Sequence, residues 1–141
     1  MTIQQGQCTI FKKNCLSALE NFAVGTPYTY KIALYTANAD LSYETLTYTT
    51  TGEVIGTGYT AGGQTLTVIP PQTDGYTAYL SFSNVTWNPA SFTCRGALIY
   101  NSTTNAAVAV LDFGSDKTAT NTFTITFPTN TASDAIIRFS N

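Results

Sequence analysis

The sequence contains no histidine and few charged residues. Lys and Arg number six and Asp and Glu number eight, so 10% of the 141 residues are charged, against about 25% in ordinary soluble domains. The missing histidine excludes Ser-His-Asp and Cys-His catalysis and the HExxH zinc site. A chain with six basic residues and a net charge of −2 cannot neutralise a run of phosphates, so we expect no nucleic-acid partner.

Long apolar runs are also missing. No stretch approaches the roughly eighteen consecutive apolar residues of a membrane span, so no membrane partner is expected. The first six residues are mostly polar and lack the basic and apolar regions of a secretory signal. Export by that route is therefore not expected.

The three cysteines, Cys8, Cys15 and Cys94, are an odd number. If residues 8–22 are helical, the first two lie about 10.5 Å apart along the axis. A disulfide needs Cα atoms within about 7 Å of each other. We therefore predict reduced thiols that pack as small buried hydrophobes.

Threonine is in excess, with 27 residues. The apolar residues show two different periodicities along the chain. A stripe at spacings of three and four predicts a helix over residues 8–22, stopped by Gly25 and Pro27. Its members are Cys8, Phe11, Cys15, Leu19 and Phe22. We expect this helix to lie on the domain with the stripe buried, and a docking helix for a partner is the alternative.

From residue 28 onward the period changes to two. Phe123, Ile125 and Phe127, which alternate with threonines, are the clearest case. About eight such segments over residues 28–139 are separated by turn signals, including Pro70-Pro71 and a turn at 114–117. This pattern predicts a mainly β single domain over residues 1–141, a β-sandwich or barrel with one short N-terminal helix.

Few motifs suggest chemistry. The glycines of residues 56–63 superficially resemble a phosphate-binding loop, but a strand follows them where such a loop must open a helix. No carboxylate pair is marked for acid–base work, and we expect no enzyme, no catalytic residues, no cofactor and no metal site. Trp87 is predicted to be buried. Thr57, Tyr59 and Thr60 form the candidate contact loop, since a tyrosine among glycines can anchor a partner.

Several segments together resemble a family of small virion proteins of tailed bacteriophages. The most specific are the Gly-rich loop and its approach, residues 48–63, and the Leu-Asp-Phe-Gly-x-Asp-Lys segment at 111–117. Further likeness covers most of the chain in the same order: residues 11–16, 31–37, 85–87, 95–101, 107–110, 123–128 and 135–139.

The resemblance implies a virion structural protein, most plausibly a capsid decoration (cement) protein with a jelly-roll-like β-sandwich. Its expected partners are the major capsid protein and further copies of itself. Its expected location is the capsid exterior, after synthesis in the bacterial cytoplasm. The alternative is a tail or baseplate β-sandwich that binds host-surface glycans through an exposed Tyr59. A non-viral carbohydrate-binding module is a third, more remote interpretation.

Overall fold

The structure is a computed structural model that describes residues 2–140. It is mainly β, as predicted, with 45% strand and 6% helix. One helix, α1 (Thr9–Leu16), accompanies ten strands in the described residues. The strands are β1 (Gly6–Gln7), β2 (Tyr30–Tyr35), β3 (Gln64–Thr65), β4 (Val68–Asp74), β5 (Thr77–Phe82), β6 (Val85–Trp87), β7 (Phe92–Asn101), β8 (Ala106–Ala119), β9 (Phe123–Ile125) and β10 (Ile137–Phe139).

The strands form three antiparallel sheets. The largest has five strands in the order β1-β8-β7-β2-β3, a second has the order β10-β5-β4, and the third pairs β6 with β9. The sheets are not closed into a barrel. The number of strands differs from the prediction, since there are ten rather than about eight, and several are only two or three residues long.

Strands β2 and β7 form the centre of the five-stranded sheet and are buried on both faces. They pair from Tyr30 opposite Asn101 to Tyr35 opposite Gly96. Every residue of β2 except Lys31 is buried. A strand with one face in water alternates apolar and polar residues, whereas a strand covered on both faces is nearly continuously apolar.

Aromatic rings cover both faces of this centre. On one face, Phe22 stacks on Tyr30 with ring centroids 4.3 Å apart and meets Phe82 of β5 edge to face at 6.3 Å. On the other face, Tyr48 stacks on Tyr100 at 4.8 Å. Fully burying one such ring stabilises the fold by about 1.5–3 kcal/mol.

The helix is shorter than predicted, because it ends at Leu16 rather than at residue 22. In a continuous helix Phe11 and Phe22 would be about 16 Å apart along the axis. Their ring centroids are instead 6.0 Å apart, edge to face, so the chain turns back after α1. Burying these rings stabilises the fold by more than helix propensity can, because most residues differ in helix propensity by only a fraction of a kcal/mol each.

A Schellman motif ends α1. Ala18 has a left-handed backbone with φ 59°. The Leu19 N–H donates to the Asn14 carbonyl at 2.8 Å, and the Ala18 N–H donates to the Cys15 carbonyl at 3.3 Å. Glycine is the usual residue at this left-handed position, so an alanine gives the sequence no stop signal.

The turn predicted at 114–117 is a bulge inside β8. Cys94 pairs with Lys117 and Gly96 with Asp112, which leaves residues 113–116 opposite Arg95 alone. The Arg95 guanidinium donates to the Gly114 carbonyl at 3.3 Å. The turn residues therefore widen the strand locally without ending it.

Strand β4 is an edge of the three-stranded sheet and pairs only with β5. Pro70 and Pro71, predicted to stop a strand, lie within β4 at the register shift between Ile69 and Gln72. Residues 70–74 are exposed. Since proline has no N–H, two backbone donors are missing from this edge strand.

Gly63, just before β3, allows us to test how tightly the Gly-rich loop packs on β2. Gly63 has φ +75°, and a Cβ there would overlap the Ile32 carbonyl oxygen, whereas Gly75 has φ +59° with nothing within 4 Å of its Cβ position. Gly75→Ala should lower the free energy of unfolding by about 1–2 kcal/mol, the usual cost of left-handed backbone. Gly63→Ala should lower it by about 3 kcal/mol or more, since a core clash is added. Urea unfolding of both variants measures the difference, and equal losses would contradict this packing.

Candidate interaction surface

A buried carboxylate lies beneath the Gly-rich loop. Glu53 is 7% exposed. Its Oε1 accepts hydrogen bonds from the Tyr59 hydroxyl at 2.6 Å and the Gly62 N–H at 2.8 Å, and its Oε2 accepts one from the Tyr48 hydroxyl at 2.6 Å. The Tyr100 hydroxyl donates to the Gly62 carbonyl at 2.7 Å. Short bonds to an ionised acceptor are about twice as strong as neutral ones, so these contacts fix the loop to the sheet.

The tyrosines around Glu53 remain donors across the physiological pH range. Burial, and then the negative charge of Glu53, raise the pKa of Tyr100 to about 12. The same two causes raise the pKa of Tyr35 above the usual tyrosine range. Burial, and then the hydrogen bond to Glu53, raise the pKa values of Tyr48 and Tyr59 above that range. Because the hydroxyls stay protonated near neutrality, Tyr48 and Tyr59 remain able to donate to Glu53.

The residues of the candidate contact loop, Thr57, Tyr59 and Thr60, have different roles, because only Tyr59 takes part in this network. Thr57 and Thr60 are exposed, and Tyr59 is only partly so. The Tyr59 hydroxyl accepts the Leu34 N–H at 2.9 Å as well as donating to Glu53. Tyr59 is therefore a structural anchor of the loop, and the two threonines are its surface residues.

The ring of Tyr59 joins the aromatic core beside it. It stacks on Trp87 with centroids 6.3 Å apart and meets Phe92 edge to face at 5.9 Å. Trp87 is 2% exposed, which confirms its predicted burial. Ile55, just before the Gly-rich loop, is exposed.

Large apolar side chains are exposed at several other places, and four of them line grooves beside α1: Leu16 and Phe139 in one, and Tyr43 and Leu46 in another. Leu16 and Leu19 come from the end of the helix and its cap, and Val24 follows them. Leu19 was predicted to be buried on the helix stripe, but the early end of α1 leaves it at the surface. The exposed large apolar residues are Leu16, Leu19, Val24, Tyr43, Leu46, Ile55, Tyr76 and Phe139.

Glu20 fixes the segment after α1 to the central sheet. Its Oε1 accepts hydrogen bonds from the Tyr30 hydroxyl at 3.0 Å and the Asn101 amide at 2.9 Å. Its Oε2 is buried with no hydrogen-bond partner among the described residues. Burial raises the pKa of this carboxyl above its usual value, and the hydrogen bonds from Asn101 and Tyr30 oppose the shift.

The thiols show no sign of activation. Cys8, Cys15 and Cys94 are free, as predicted. Burial raises the pKa of Cys8 to about 11, and burial with the nearby Glu20 charge raises that of Cys15 to about 11. Burial, and then the Asp116 charge, raise that of Cys94 to about 12. A nucleophilic cysteine needs a lowered pKa, so these side chains serve packing.

Residues 2–140 hold no group of three or more Cys, Asp or Glu side chains close enough to bind a metal ion. Within that same range, no helix has the length and apolar character needed to cross a bilayer. The features that the described surface does offer are exposed apolar side chains on a firmly tied backbone. These suit contact with another protein.

Removing one hydroxyl should test the loop anchor. Tyr59→Phe takes a donor from Glu53 and leaves the Leu34 N–H without its acceptor, so the free energy of unfolding should fall by about 2–4 kcal/mol. Tyr79→Phe is the matched control, because it removes only an exposed bond to Gln72 and should change stability by less than about 0.5 kcal/mol. Urea unfolding compares the two, and similar losses would rule out a special role for Tyr59.

Glu20→Gln should stabilise the protein at neutral pH and have little effect in acid. A raised folded-state pKa means that the folded protein holds the carboxyl proton more tightly than the unfolded chain. Stability is therefore lost as the pH rises from about 4.5, the ordinary value of the group, through the folded pKa. Glutamine keeps an oxygen for Tyr30 and Asn101 without the charge. Melting temperatures at pH 4 and pH 7 measure the effect, and a variant less stable than the parent at pH 7 would contradict it.

We compared the chain with known proteins in three ways. A scan against models of protein families, a search of curated proteins and a search of solved structures each found no match. The functional inference therefore rests on the chain's own residues and on the resemblance described above.

Proposed function

We propose that this protein is a structural component of a tailed-phage virion, a decoration protein that binds the assembled head. It sits on the capsid exterior and bridges neighbouring major capsid subunits. The observation that carries the proposal is the group of exposed apolar side chains around α1, on a chain with few charges. The sequence resemblance supplies the virion context and, with it, the jelly-roll-like sandwich as the parent architecture.

The surface chemistry suits permanent contact with protein. Hydroxyl and apolar groups are buried in an interface at less cost than charges, whose desolvation is expensive. The chain is rich in threonine and only 10% charged. A net charge near zero also weakens repulsion between copies, which favours dense packing on a lattice.

The proposed mechanism is stabilisation by mass action. A protein that binds the assembled lattice and not the free subunits shifts the equilibrium towards the assembled state. The loop held by Glu53 and the segment after α1 held by Glu20 fit this role. Surfaces fixed before binding lose little conformational entropy when the complex forms.

The tail or baseplate alternative depended on an exposed Tyr59 that could stack on a glycan. The hydroxyl of Tyr59 is bonded to Glu53 and Leu34, and its ring packs on Trp87. The reason for expecting glycan binding, a freely exposed Tyr59, therefore no longer holds. The head-binding function is the one that we carry forward.

Particles that lack the protein should be less stable than complete particles. Deleting the gene in the phage that encodes it should lower the temperature at which heads release DNA, and chelator should increase the difference. Adding the purified protein back should restore stability, since binding occurs after assembly. DNA release followed by dye fluorescence during heating measures the effect. Equal stability, with cryo-EM density for the protein on the tail, would reject the proposal.

A further inference from the structure

A groove runs between α1 and β10. It has a volume of about 430 Å³ and seven lining residues: Gln7, Lys12, Cys15, Leu16, Arg138, Phe139 and Ser140. We call it the α1–β10 groove. Leu16 is 91% exposed and Phe139 is 44% exposed, so two large apolar side chains face solvent there. Behind Phe139 and Cys15 lies a smaller cavity of about 140 Å³, nearly all of whose lining is apolar.

The rim of the α1–β10 groove is positively charged. Lys12 and Arg138 are both exposed, and none of the seven lining residues is acidic. The Arg138 guanidinium also donates to the Ser133 carbonyl, which holds it in place. The Glu20 carboxylate is bonded to Tyr30 and Asn101 and does not line the groove. The groove therefore fits an apolar side chain that is accompanied by a carboxylate.

The same chain carries that combination elsewhere on its surface. Residues 42–46 form a turn, which we call the Tyr43 turn. Tyr43 is 54% exposed, Leu46 is 61% exposed, and Glu44 between them is exposed. The Tyr43 turn shares a second shallow groove with Ile10 and Lys13, so it lies beside α1 at a different place from the α1–β10 groove.

Hydrogen bonds hold the Tyr43 turn in one conformation. The Thr45 hydroxyl accepts the Ser42 N–H at 2.9 Å, and the Ser42 hydroxyl accepts the Glu44 N–H at 3.1 Å. The Tyr43 carbonyl accepts the Thr9 N–H, the first of α1, at 2.8 Å. The turn is therefore preorganised, which lowers the entropy lost on binding.

We propose that the α1–β10 groove of one copy binds the Tyr43 turn of a second copy of this chain. Tyr43 and Leu46 cover Leu16 and Phe139, and Glu44 pairs with Lys12 and Arg138 across the contact. Charge complementarity selects this occupant and sets its orientation. The two surfaces are different, so the contact is head to tail, and repetition produces a ring or an open chain of copies.

This contact is separate from the binding of the protein to a phage head. Head binding requires some surface that recognises capsid subunits, whereas the contact proposed here joins copies of the decoration protein to each other. Purified protein alone is sufficient to test it. The two proposals can therefore fail independently.

The test is the oligomeric state of purified protein, measured by sedimentation from about 1 µM to about 500 µM. The parent protein should form dimers and larger species as concentration rises, more weakly at high salt because exposed charges are screened. Lys12→Glu combined with Arg138→Glu should raise the apparent dissociation constant at least about tenfold. Glu44→Lys should do the same. Lys117→Glu, at an exposed lysine outside both surfaces, is the control and should behave as the parent.

Mixing the two reversed variants distinguishes a broken contact from a misfolded protein. The groove variant has an acidic groove, and the turn variant offers an introduced lysine to fill it. The groove of the turn variant still accepts the Glu44 of the groove variant. An equimolar mixture should therefore assemble although neither variant does so alone. Leu16→Ser, at a side chain with almost no packing to lose, should weaken assembly in the parent without lowering thermal stability.

Three results would overturn the proposal. The first is a parent protein that stays monomeric over the whole concentration range. The second is assembly that is unchanged by both charge reversals. The third is a mixture of folded, individually monomeric variants that does not assemble, because complementary charges must restore a head-to-tail contact.

Discussion

The burial of the Glu53 carboxylate is the constraint on which the rest of the structure depends most. Taking a carboxylate out of water costs several kcal/mol unless donors replace the lost water. Here two tyrosine hydroxyls and the Gly62 N–H do so. All three donors lie, like Glu53 itself, in the long connection between β2 and β3, so a single charge holds distant parts of that connection together. The bridge between Glu53 and Tyr35 and the hydrogen bonds to Leu34 and Tyr100 then join the connection to the central sheet.

Because the chain has few charged residues, each remaining charge has a larger effect on which partner can bind. Of the six basic residues in the chain, Lys12 and Arg138 line one groove and Lys13 lines another beside the same helix. Apolar side chains are exposed around the end of α1, because the helix ends early. The surface around α1 thus combines apolar area with a local charge pattern, which is what distinguishes one partner from another.

The sequence predicted the elements that depend on local periodicity, and it failed where distant contacts decided. Alternating apolar residues correctly indicated a mainly β chain, and the isolated Trp87 was correctly placed in the core. The end of α1 was missed because Ala18 adopts a backbone that glycine usually signals. The role of Glu53 was missed because Tyr48 and Tyr59 lie in the same irregular connection, and an irregular segment has no periodicity from which side-chain contacts could be predicted.

The prolines of β4 have a consequence for the proposed role, in which many copies pack side by side. An exposed sheet edge invites strands of neighbouring molecules to add to it, and such additions lead to irreversible fibrils. Pro70 and Pro71 remove two N–H groups from this edge strand, at the place where its register shifts. Crowded molecules are thereby directed away from backbone pairing and towards side-chain contacts. In the dense packing that the proposed decoration role requires, such an edge opposes the strand-by-strand addition that leads to aggregation.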